Sequence, residues 1–115
     1  MTDREQDINQ LQLYEQSLQN ILMQKQQFQT QIAEIESALK ELKDSEESYR
    51  IIGNIMVKSK KPDVRKDLES KKATSELRIK TLEKQEENIR EKAQSLQSEI
   101  MKNMEGSKNA AGKPD

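Results

Sequence analysis

The chain has 115 residues, 36% charged and 31% hydrophobic, with a net charge of −1, a mixture that excludes a large globular core. It has three aromatics and no Trp, Cys or His, which excludes a disulfide framework, a thiolate or imidazole metal site and the commonest general acid/base at neutral pH. No stretch approaches the ~18 consecutive apolar residues that span a bilayer, and the polar start MTDREQD is unlike a secretory signal, so a soluble, cytoplasmic protein is expected.

The first predicted element is a helix over about residues 3–46. Thr2 and Glu5 have the spacing of a capping box, in which each side chain satisfies a backbone N–H that the first turn leaves unpaired. Alternating steps of three and four give Leu11, Tyr14, Leu18, Ile21, Lys25, Phe28, Ile32, Ile35, Leu39 and Leu42, with only Lys25 polar. Such a row is the seam of a coiled coil, with the intervening Gln, Glu and Lys facing water.

The second element is an apolar island, YRIIGNIMVK, at residues 49–58. Its β-branched residues flank Gly53-Asn54, a pair suited to a two-residue turn with positive φ, so the spacing predicts a β-hairpin. In that register Ile52 faces Ile55 and Arg50 faces Val57 on one side, while Ile51 faces Met56 and Tyr49 faces Lys58 on the other. A lone ribbon apolar on both faces is marginal in water. Oligomerisation through Tyr49, Ile51, Ile52, Gly53, Asn54, Ile55, Met56 and Val57 is the economical way to cover it; the alternative is that the hairpin folds back on its own helices as a capped loop.

The third element is a helix over about residues 62–105. Pro62 suits its first turn, where the missing N–H is not needed. Its row runs through Leu68, Lys72, Ser75, Ile79, Leu82, Glu86, Ile89, Ala93, Leu96 and Ile100. The polar members near its start are expected to face solvent or another subunit. Gly106 is expected to end the helix, leaving residues 106–115 as a disordered tail.

The two rows are nearly equal in length, and charge favours an antiparallel arrangement of their helices. Residues 1–48 hold four basic and ten acidic residues, whereas 49–80 hold ten basic and four acidic. Glu34, Glu36, Glu41, Asp44, Glu46 and Glu47 are expected beside Arg65, Lys66, Lys71 and Lys72. The fold class expected is therefore mainly α: two long helices in an antiparallel coiled coil, joined by a short β-hairpin that is expected to assemble with others into a shared oligomeric sheet or β-barrel. Residues 1–105 form a single domain.

A long helix, the hairpin YRIIGNIMVK and a matching second helix resemble the prefoldin family over about residues 8–104. The Gln-rich first arm LQNILMQKQQFQTQIAEI adds to the likeness, and a single hairpin points to the β-type subunit. The resemblance implies an ATP-independent chaperone, a hexamer of two α-type and four β-type subunits with a barrel body and six coiled-coil tentacles. Non-native polypeptides would be held at the tentacle tips and delivered to a group II chaperonin. Carried onto this chain, the hairpin would build the barrel, and Ile8, Leu11, Leu13, Ile100, Met101 and Met104 would contact clients. Methionine adds a physical reason, since its flexible thioether fits varied apolar partners.

No nucleophile–base pair, metal cluster or G-x-x-x-x-G-K-S/T loop is present, so neither an enzyme nor a cofactor is expected. The basic run KSKKPDVRK could meet nucleic acid, but it lacks stacking aromatics, and pairing with the acidic first arm is its expected use. The competing reading is a structural coiled-coil rod or docking subunit of another complex.

Overall fold

The computed structural model describes residues 3–112, with side chains described for residues 3–104. Its elements in chain order are α1 (Asp3–Asp44), β1 (Ser48–Ile52), β2 (Ile55–Ser59) and α2 (Lys61–Gly112). The two strands between the helices form an antiparallel hairpin. Thr2, one half of the expected capping box, lies outside the described residues. Asp3 and Glu5 place negative charge in the first turn of α1, where the helix dipole favours it.

Two compact units make up the chain. One comprises residues 24–82. Here Gln31 meets Ser75 and Glu36 meets Lys72, so ascending positions of α1 face descending positions of α2. The other unit joins residues up to 23 with residues from 83 onward. Within it, Gln10 and Tyr14 share a groove with Asn88, Leu96 and Glu99.

Both 3-4 rows are the seams of the folded chain, for every one of their positions is buried or partly buried. Ile21, Leu42, Ser75 and Leu82 are the best covered among them, yet among the described residues no side chain is completely enclosed. This is the expected consequence of a two-helix seam, which has no third layer to close it. Val64 joins the buried residues although it lies off the row. At the start of α2 the seam shifts, and Val64 shares a groove with Ala38, Leu42, Ser48 and Leu68.

Ser75 corrects an expectation. It faces neither solvent nor a second subunit but is buried, its hydroxyl 3.5 Å from Gln31 Oε1. A small hydroxyl with a polar partner can enter a seam at little desolvation cost. Lys72 is partly exposed and holds Glu36 at 3.2 Å and Glu76 at 4.0 Å, keeping its charge at the edge of the seam.

The helix ends also differ from expectation. α1 stops at Asp44, two residues early, because the Ser45 N–H closes back on the Leu42 carbonyl at 3.4 Å while its hydroxyl donates to Glu47 O at 2.6 Å. At the start of α2, the Lys60 carbonyl accepts from the N–H groups of Asp63 and Val64 at 3.0 and 3.1 Å, and Pro62 sits in the first turn without breaking a bond. α2 continues through Gly106 to Gly112. One glycine costs a helix only ~1 kcal/mol relative to alanine, and Ala110 and Ala111 follow it as strong helix formers. The remainder of the expected tail, residues 113–115, lies outside the described residues.

Candidate assembly and client-binding surfaces

The hairpin pairs in the expected register: Tyr49 with Lys58, Arg50 with Val57, Ile51 with Met56 and Ile52 with Ile55, extended by Ser48 with Ser59. Gly53 supplies the reversal at φ +61°, and among the described residues no other residue type adopts positive φ, the pattern of a turn whose first central position must be glycine. Asn54 therefore completes the turn with an ordinary backbone.

Side chains clasp the base of the hairpin. The buried Ser48 donates its hydroxyl to Ser59 O at 2.5 Å, and Arg50 Nε donates to Ser59 Oγ at 3.3 Å. Tyr49 donates its hydroxyl to Glu47 Oε2 at 2.7 Å, and Lys58 Nζ approaches Glu47 Oε1 at 3.6 Å. The bond to Glu47, and then its charge, raise the Tyr49 hydroxyl above the ordinary tyrosine value. These contacts fix where the ribbon leaves the helices.

Beyond that base the apolar side chains are open. Ile51 is 73% exposed, Ile55 and Met56 are each 66% exposed, and Tyr49, Ile52 and Val57 are exposed as well. Because side chains alternate along a strand, these residues populate both faces of the ribbon. The structure thus brings all eight expected assembly residues into one element. A groove beside β1 adds Val64 and Leu68 of α2 to the same apolar surroundings. That groove was not read from the sequence, although the β-branched Val64 one turn before Leu68 was its available signal.

The expected client-binding residues fall in the unit containing residues up to 23 and from 83 onward. Ile8 and Leu13 on α1, and Met101 and Met104 on α2, are exposed, whereas Leu11 and Ile100 are partly buried seam members. The six therefore divide into two classes, four open side chains and two that finish the seam. Leu22, Met23 and Leu77 are exposed apolar residues that the sequence reading passed over. All three sit one or two places from a seam position, where counting in steps of three and four ignores them.

Pairing between the acidic and basic stretches is sparser than expected. Lys72 holds Glu36, but Lys71 turns to Asp67 on its own helix at 3.4 Å, the nearer partner at four-residue spacing. Exposed pairs of this kind contribute ~0–1 kcal/mol each. Among the described residues no helix is long and apolar enough to cross a membrane.

Comparison with known proteins bears on these surfaces. The family described as "Prefoldin subunit" matches residues 5–107. Prefoldin subunit beta of Archaeoglobus fulgidus is 43% identical over 96 residues, covering 81% of this chain and 83% of its own length. The protein of the same description from Methanospirillum hungatei is 36% identical over 104 residues, covering 88% and 87%. The crystal structure of the prefoldin beta subunit from Thermococcus strain KS-1 superposes with a TM-score of 0.81 at 31% identity, covering 90% of this chain and 93% of that one.

Proposed function

The chain belongs to the prefoldin subunit family, whose members are chaperone subunits, and from that membership we propose that it captures non-native polypeptides without ATP and delivers them to a group II chaperonin. In this reading it is a β-type subunit in the cytoplasm, four copies of which join two α-type subunits in a hexamer. It neither catalyses a reaction nor binds a cofactor, nucleic acid or membrane.

The observation that carries the proposal is the uncovered hairpin. Burying an exposed Ile or Met contributes ~1.5–3 kcal/mol per side chain, and Ile51, Ile52, Ile55 and Met56 all remain more than half exposed in the single chain. Strand edges left open by a two-stranded ribbon add backbone groups that a neighbouring hairpin can satisfy. Joining hairpins edge to edge into a barrel meets both needs at once. Client capture then falls to the other unit, whose open Ile8, Leu13, Met101 and Met104 can hold varied apolar segments weakly.

The test is the native mass of this chain mixed with an α-type subunit, for the natural sequence and for Ile52→Asp with Ile55→Asp. The natural chain is expected to give a mixed species with four copies of itself and two of the partner, and the double variant to lose it while keeping its helical circular dichroism. A double variant of unchanged mass would refute assembly through the hairpin. A partner-independent two-chain species would favour a structural coiled coil instead.

A further inference from the structure

Charge is distributed unequally between the helices of a single unit. Residues 8–23 of α1 include one charged residue, Glu15, whereas residues 83–104 of α2 include nine. The outer face of α1 opposite its seam carries Gln12, Leu13, Gln16, Gln19, Asn20 and Met23, all exposed, and their spacing places them along one uncharged ridge. Solubility alone would be served as well by the Glu and Lys that cover α2.

We propose that this ridge is a lateral binding surface for extended, uncharged segments of non-native polypeptide, continuing the grip of the chain ends along α1. The inference rests on the client-capture reading and names the class of segment captured. A non-native chain exposes apolar side chains together with peptide N–H and C=O groups that lack partners. Each Gln or Asn amide donates and accepts, so it can meet either peptide group, whereas Lys only donates and Glu only accepts. Covering a charged face removes ions from water at high cost, and covering amides costs far less. Leu13 and Met23, 54% and 61% exposed, supply apolar contact within the same ridge. The matching occupant is therefore a segment without charge of its own, which would otherwise be buried unpaired against the amides.

The experiment uses the full complex with an α-type subunit and a permanently unfolded, reduced and alkylated protein as probe. A photo-crosslinking residue at position 16 is expected to capture the probe, and the same residue at position 94 on α2 is not. The triple variant Gln12→Glu, Gln16→Glu, Gln19→Glu and its Lys counterpart are both expected to bind the probe about tenfold more weakly, equivalent to ~1.4 kcal/mol. A control with Gln85→Glu, Gln94→Glu and Ser98→Glu is expected to keep its affinity, and circular dichroism checks that each variant stays helical. The ridge assignment fails if position 16 captures only another subunit or nothing, if both triples bind as the natural complex does, or if Glu and Lys shift affinity in opposite directions. Failure of the unmodified complex to bind the probe would instead overturn the chaperone reading, and the ridge with it.

Discussion

Ser75 occupies a seam position that a coiled coil ordinarily fills with leucine. It is only 6% exposed, and its hydroxyl reaches Gln31 across a long 3.5 Å, so one weak bond replaces several apolar contacts. Phe28 and Ile35 line the groove beside it, which leaves an apolar wall without an apolar occupant. Ser75→Leu is therefore expected to stabilise the chain by about 1–2 kcal/mol, at ~0.8 kcal/mol per added buried methylene less some rearrangement. Thermal unfolding of the variant checks this, and a lowered midpoint would show that the seam cannot open to the larger side chain. The sequence marked Ser75 as a break in the row but not as a buried one, because its partner, Gln31, belongs to the other helix. Lys72 was legible only as polar, for the same reason: Glu36 decides where its charge rests.

At the scale of elements, the periodic stretches were readable to the residue and the boundaries were not. Each seam position follows from a repeat of three and four, a local property, and each hairpin pair follows from a two-residue turn that fixes register outright. Where α1 stops depends instead on Ser45 folding its hydroxyl onto Glu47 O and on the Ser48–Ser59 clasp, interactions that helix-forming Glu46 and Glu47 conceal. The turn also makes a quantitative demand on one residue. Beyond its two chain neighbours, Gly53 has no heavy atom within 4 Å of where a Cβ would stand, so Gly53→Ala meets only the backbone penalty of positive φ, ~1–2 kcal/mol. That penalty is expected to weaken assembly with an α-type subunit by about five- to thirtyfold. Asn54→Ala, at ordinary φ, is expected to assemble normally. Titrating the partner against each variant by native mass distinguishes them, and equal affinities would show that the hairpin need not be preformed to assemble.

For the whole molecule, the two surfaces fall in different compact units, the hairpin among residues 24–82 and the expected client contacts among residues up to 23 and from 83 onward. Assembly and capture should therefore be separable by truncation. Removing residues 1–10 and 101–115 takes away Ile8, Met101 and Met104 but leaves the hairpin and the seam from Leu11 to Ile100. Hairpin-driven assembly is expected to survive with only the deleted mass lost. Protection of an aggregating client is expected to fall severalfold, because several weak contacts presented together hold a chain through effective concentration, and removing some from every subunit multiplies the loss. The division between surfaces was legible in composition, an apolar island against Met- and Gln-bearing arms, whereas the relative importance of ends and ridge was not, since exposure depends on how the helix is rotated in its seam. Light scattering of a denatured client with full-length and truncated complexes measures that balance. Undiminished protection would remove the ends as the principal grip and leave the ridge of α1, untouched by the truncation, to carry it.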